Sequence, residues 1–446
     1  MLESVNRVLS GMILPPFLLG VGVFFAARLR LFHFRRLPII YRALTRKGQG
    51  ERASSFRSLT LALAGTLGVG NIVGVASAIA LGGPGAVFWM WISAIAAMFL
   101  KYAEVVLGMR YRKRGDGGFH GGAPYYISEG LSARGRARLG KALAAVFAFL
   151  CILDSFTTGG SIQSAAVSGA LAGVMGIPPA LSGGILAVIC AVLLMRGTGV
   201  IMRVTEVLVP VMCAGFLFLS VWCMAAQPQK IGEAIGLIFR DAFTPSSAFG
   251  GVGGFLFSRA ARFGTMRGLL SNEAGCGTSP FAHAVADAKS PAEQGFWGIF
   301  EVFVDTILLC TVTAVVIIMN GEAVSGFSDV PIMMAIRAYS RGFEGIWASV
   351  VEDFLGLSLL CFGFATLLCW AHYGLACVDY LFGNKHLRIL YIFAFGGMIL
   401  FGSLTPQNEV FALADLVMGL MLLLHLPVLC VLNGEVQKQT RDYFGK

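Results

Sequence analysis

Apolar runs of about twenty residues, separated by short polar or basic stretches, recur along almost the entire chain. A helix of that length crosses ~30 Å of hydrocarbon. The pattern predicts eleven spans: Met12 to Ala27, Leu59 to Ala80, Ala86 to Met109, Ala142 to Met175, Leu181 to Met195, Val204 to Ala226, Phe255 to Ala284, Phe296 to Met319, Phe354 to Cys377, Ile389 to Phe401 and Val410 to Leu432. Two of them, Ala142 to Met175 and Phe255 to Ala284, are too long and too rich in glycine for one straight helix. A break is predicted inside each. The expectation is an all-α polytopic membrane protein, a single transmembrane domain over residues 1–446.

Composition agrees. Of 446 residues, 57% are hydrophobic and 13% charged, whereas a soluble chain uses roughly 25% charged residues to coat its surface. The 57 glycines suit helices that approach closely or come undone within a membrane. The ten cysteines fall singly, mostly inside apolar runs, with no CxxC pair and no Cys/His pattern. They read as small buried hydrophobes, not as metal ligands or disulfides.

A formal net charge of +10 would suit nucleic acid, but its placement speaks for topology. Arg28, Arg30, Arg35, Arg36, Arg42, Arg46, Lys47, Arg52 and Arg57 follow the first span. Arg110, Arg112, Lys113, Arg114, Arg134, Arg136, Arg138 and Lys141 follow the third. If the spans alternate, these and the smaller basic groups after the later odd-numbered spans share one side. The positive-inside rule makes that side the cytoplasm, with the N-terminus outside and the C-terminus within, in a plasma (inner) membrane. A cleaved signal peptide is the rival reading of the first span. Glu3 opposing Arg7, and the arginine cluster that follows, favour a retained helix.

Without the first span (residues 1–57 with its basic loop), ten spans divide into halves of five, 58–226 and 249–433. Each half opens unusually. The first has Gly65-Thr66-Leu67-Gly68-Val69-Gly70-Asn71, the second Ser271-Asn272-Glu273-Ala274-Gly275-Cys276-Gly277. Because five is odd, the halves enter the bilayer in opposite senses. Paired glycine-interrupted spans in inverted halves point to a secondary-transporter site. An unwound turn frees carbonyls for a cation and exposes a half-helix N-terminus to a carboxylate. Helix-packing glycine is the bland alternative for Gly70 and Gly74 alone.

At these residues the chain resembles the alanine or glycine:cation symporter family (sodium:alanine symporter type). The matching stretches are Gly68 to Ala76, Gly82-Gly83-Pro84-Gly85-Ala86 through Trp91, Ser271 to Gly275, Phe303-Val304-Asp305-Thr306, Trp370-Ala371-His372-Tyr373-Gly374 and Tyr380 to Gly383. The resemblance implies a leucine-transporter-type inverted repeat of 5+5 helices plus one extra N-terminal helix. It also implies sodium-driven, or less often proton-driven, uptake of alanine, glycine or similar small neutral amino acids. Val69 stands where the family usually has threonine, and Ala365 where it commonly has serine, so hydroxyls near the first break and in the ninth span are missing.

For the amino acid, the candidate groups are backbone at Gly68, Gly70 and Gly275, with Asn71, Ser271 and Asn272. The asparagines alternatively stitch helices together. Gln163 matches a glutamine the family places beside its substrate; it either hydrogen-bonds a ligand or satisfies a kinked backbone. Thr366, Trp370 and Tyr373 share one helix face, and the resemblance makes Trp370 a pocket wall that limits side-chain size. For sodium, the candidates are Asn71, Asp305 and Thr366, because a mid-span carboxylate is costly and by default functional and a hard cation takes oxygen ligands. Glu273 and Asp154 also lie in apolar sequence, without an assigned role. Arg259, Arg262 and Arg267 either neutralise Glu273 or gate the outer vestibule. No cofactor is expected, nor an obligate protein partner or nucleic acid. The six histidines make no HExxH, and no filter motif suggests a channel.

Overall fold

A computed structural model of the protein describes residues 6, 8–45, 51–115, 118–243, 259–321 and 331–445. Among these, nearly everything is helix. The first span is α1 (Leu14–Arg28), entered through a π-wound turn, Leu9–Ile13. The second is α2 (Glu51–Thr66) and α3 (Val73–Gly82), and the third α4 (Ala86–Arg110). After a small hairpin (β1, Lys113–Gly115; β2, Gly118–His120) and α5 (Ala123–Ser132) come α6 (Ala137–Asp154) and α7 (Gln163–Met175). Then follow α8 (Pro179–Met195), α9 (Thr198–Ala226) and α10 (Gln229–Ala242). The second half runs α11 (Arg259–Asn272), α12 (Ser279–His283), α13 (Pro291–Val302), α14 (Thr311–Met319), α15 (Pro331–Ser340), α16 (Ile346–Phe382), α17 (Lys385–Leu404) and α18 (Gln407–Phe444).

Every expected span has a helical counterpart. Eight described helices are long and apolar enough to cross a membrane, or nine if Ser54–Thr66 and Val69–Gly82, bent by 61°, count as one broken span. The remaining two are α8, with only 17 residues, and the interrupted α11/α12. The predicted start of that seventh span, residues 255–258, lies outside the described residues, as does 249–258 of the second half.

One expected break is absent. Between α6 and α7 the helix continues through a π-wound stretch, Ser155–Ile162. Wider i→i+5 winding absorbs the extra length while keeping backbone bonds, so Gly159-Gly160 loosens the helix without opening it. A second π-wound stretch, Phe303–Cys310, joins α13 to α14. The two broken spans lie side by side at the centre: α11 packs on α3 and α4, and α13 packs on α4. Helices α7 and α16 close the opposite flank. The small helix α10 and the hairpin were not foreseen, because their amphipathic or short patterns carry no span-length apolar run.

Candidate functional site

At the first break Gly68 is extended (φ −98°, ψ −157°) and a single 3-10 turn, Val69–Asn71, separates α2 from α3. A Cβ on Gly68 would lie 2.7 Å from both Gln163 Oε1 and Thr366 Oγ1, so only glycine lets these side chains close on the break. Gln163 Oε1 accepts from Val69 N at 3.1 Å, and its Nε2 donates to the Thr158 carbonyl at 3.2 Å. The Thr366 hydroxyl donates at 2.8 Å to the Ala64 carbonyl, which has lost its helical partner because Gly68 N turns to Thr66 O.

At the second break Glu273, Gly275 and Gly277 have φ of +53°, +87° and +78°. Glycine adopts this region freely, but for Glu273 it costs about 1–2 kcal/mol. Its surroundings hold it there. Glu273 Oε1 accepts from Trp370 Nε1 at 2.8 Å and Oε2 from Thr278 Oγ1 at 2.7 Å. The opened main chain is met from both sides: Gly277 N donates to Glu104 Oε1 at 2.8 Å, and Gly275 O accepts from His425 Nδ1 at 2.6 Å. Asn272 Oδ1 accepts from Ala274 N at 3.1 Å.

The breaks meet around Asp305, which the second π-wound stretch carries into the centre. Its carboxylate accepts from Asn71 Nδ2 (2.8 Å), Ser271 Oγ (2.8 Å) and Thr306 Oγ1 (2.6 Å). Asn272 Nδ2 donates to Thr306 Oγ1 at 3.2 Å. All of these residues are fully buried, and Asn71 Oδ1 has no hydrogen-bond partner. An orphaned amide oxygen beside a carboxylate and two hydroxyls is the donor set a hard cation takes.

The structure thus brings Asn71 and Asp305 together but places Thr366 at the Gly68 side of the first break. Ser271 and Thr306 stand next to the carboxylate instead. A cavity of about 10 Å³ lies between the breaks, lined among others by Gly68, Gly70, Thr158, Gln163, Glu273 and Phe411. Trp370, Asn71, Ser271, Asn272 and Gly275 are not on its wall. Trp370 stands one layer back, holding Glu273. The sequence showed Glu273 as an intramembrane carboxylate but gave it no role, and nothing in the local pattern pointed to Phe411. Arg267 lies over the Phe411 ring at 4.7 Å and pairs with Asp415 at 3.2 Å, while Arg259 donates to the Leu81 carbonyl. Neither of these arginines is hydrogen-bonded to Glu273. Asp154 accepts from Thr158 Oγ1 at 2.6 Å behind the same cavity.

A separate polar network ties down the lower half of the second broken span. Lys101 Nζ is 3.2 Å from Glu301 Oε1 and also reaches Ser279 Oγ. Gln294 Nε2 donates to His283 Nδ1, which leaves the other ring nitrogen to donate to Glu301 Oε2 at 3.1 Å. These bonds anchor α12 to α4 and α13, whereas α11 is tied to α18 and the Asp305 stretch.

The full sequence, residues 1–446, matches the family model described as "Sodium:alanine symporter family". The chain belongs to the sodium:alanine symporter family. It is 34% identical to a protein named sodium/alanine symporter AgcS of Methanococcus maripaludis, over 99% of this chain and 96% of that protein. It is 32% identical to the amino-acid carrier protein AlsT of Bacillus subtilis, over 96% and 88%. Among solved structures it resembles MhsT in complex with L-phenylalanine (TM-score 0.60, 13% identity, 86% of this chain and 89% of that one). It also resembles a Na⁺-coupled sialic acid symporter (TM-score 0.56, 13% identity, 95% and 85%). The fold of this symporter is therefore the leucine-transporter-type inverted repeat of five and five helices with one extra N-terminal helix. It is a multi-pass membrane transporter, not an enzyme.

Proposed function

We propose that this protein imports small neutral amino acids, alanine and glycine, together with sodium by alternating access. The observation that carries the reading is the buried carboxylate of Asp305, whose hydrogen-bond partners are all neutral and which adjoins the unpartnered Asn71 Oδ1. A carboxylate at bilayer depth is costly without a cation. Sodium satisfies both oxygens, with Ser271 and Thr306 as further ligands. Sodium is preferred to a proton because the family description and the name of AgcS specify it. In this reading the amino acid lies between the breaks, its carboxylate toward freed N–H groups and its ammonium toward freed carbonyls and Glu273.

The cavity of about 10 Å³ holds no more than one water. Admission of an amino acid therefore requires the broken spans to part from their neighbours, as alternating access supposes. The same reading takes 58–226 and 249–433 as the two repeats and sets the basic loops in the cytoplasm. The test is uptake of labelled alanine into proteoliposomes with sodium and pH gradients imposed separately. A sodium gradient should drive accumulation, and Asp305→Asn should abolish both that stimulation and the rise in melting midpoint that sodium gives the wild type. Uptake indifferent to sodium would remove the reading.

A further inference from the structure

A larger cavity, of about 110 Å³, opens on the basic side of the molecule. It lies where the ends of α16 and α8, the starts of α17 and α9, and α12 with the residues just after it converge, beside the hairpin. Tyr125, Thr198, Phe281, His372, Asp379 and Arg388 are among its walls. Two rings separate it from the small cavity between the breaks. The Tyr373 hydroxyl reaches Gly65, where a Cβ would lie only 2.8 Å away, and Gly65 lines the small cavity. The Tyr373 ring faces Phe281 at 5.6 Å between centroids, and Phe281 lines the large one. Gly65, Tyr373 and Phe281 thus join the walls of the two cavities in one chain of contacts, with the ring pair as the septum.

The large cavity carries complementary charge. Arg388 Nη1 lies 2.6 Å from Asp379 Oδ2, and the two side chains are 42% and 38% exposed. Thr198 Oγ1 and His372 Nδ1, 3.4 Å apart, add neutral hydrogen-bonding groups on another wall. A half-exposed ion pair is worth little, so opening it costs little. An α-amino acid inserted into the opened pair presents its carboxylate to the guanidinium and its ammonium to the aspartate, two charge-assisted bonds in place of one. At about 10–15 Å³ of cavity per water, 110 Å³ holds several waters, which is ample room for a glycine or alanine zwitterion.

We propose that this cavity is a second amino-acid site, a release site for small zwitterions on the basic side of the septum, with Arg388 holding the carboxylate and Asp379 the ammonium. It rests on the transporter reading. An amino acid filling it from the cytoplasm blocks exit from the site between the breaks, so the site appears as inhibition by internal substrate.

Right-side-out vesicles preloaded with increasing alanine are assayed for sodium-driven uptake of labelled alanine. In Asp379→Asn and in Arg388→Gln, the internal alanine that halves uptake should rise about tenfold, the loss of one charge-assisted bond. Ala376→Leu fills the cavity without touching the ion pair and should give the same rise, so it decides the matter if the charge variants fail to reach the membrane. Unchanged inhibition in any variant that does reach the membrane overturns the inference, as does a wild type that takes up alanine without inhibition from inside. A wild type with no sodium-driven uptake overturns the transporter reading, and the release site with it.

Discussion

Trp370 ties the second break to the helix behind it through a single hydrogen bond. Its indole N–H is a donor to Glu273 Oε1, and Glu273 is the residue held in left-handed backbone at the second break. Removing the donor leaves a buried carboxylate oxygen short of a partner, which typically costs about 1–3 kcal/mol. Bulk and hydrogen bond are separable. Trp370→Phe keeps most of the ring, so it should raise the KM for alanine about tenfold without widening the range of substrates. Trp370→Ala also empties the space behind Glu273 and should let larger neutral amino acids compete. Competition profiles of the two variants against labelled alanine check this, and a wild-type profile for Trp370→Ala would refute the steric part.

Among the elements, the two broken spans and the π-wound stretch Ser155–Ile162 line the small cavity, and the stretch Phe303–Cys310 meets the breaks beside it at Asp305. The broken spans supply main-chain groups, and the π-wound stretches supply Thr158, Asp305 and Thr306. The conformation of the second break depends on glycine at Gly277. A Cβ there would lie 2.8 Å from Phe147 Cζ and 3.0 Å from Ala123 Cβ, at φ +78°. Left-handed backbone costs an L-residue about 1–2 kcal/mol before any clash. Gly277→Ala should therefore lower the melting midpoint in detergent and cut uptake sharply, whereas Gly184→Ala, with open space around its Cβ, should change neither. Equal midpoints for the two variants would show that the break tolerates ordinary backbone.

The whole molecule separates charge by side. The hairpin and the larger cavity share the basic face, while α10 caps the other end of α4 through Trp89 Nε1 donating to the Ala242 carbonyl and Gly85 N donating to Asp241 Oδ2. Two exposed positions report these faces, Arg134 in the basic loop and Glu233 on α10. The ten cysteines are free and buried or partly buried, so background labelling should be low. In intact cells a membrane-impermeant maleimide should label Glu233→Cys at once and Arg134→Cys only after permeabilisation. The reverse order would invert the proposed orientation.

The helical spans, the two glycine-rich interruptions and the family resemblance are legible in the order of residues alone. Hydrophobic run length and local glycine content act on the chain segment that carries them, whatever its neighbours. That order also exposes Asn71, Ser271 and Asp305 as polar residues in apolar surroundings. Helix packing settled that these three meet while Thr366 turns to the Ala64 carbonyl, that Trp370 stands behind Glu273, and that Arg267 answers Asp415. It likewise decided that the long fourth span winds wider instead of breaking. Such pairings join residues up to some 300 positions apart, as with Thr366 and Ala64. They are fixed by how helices pack and by the cost of leaving a buried polar group unpaired, neither of which is written in any local stretch.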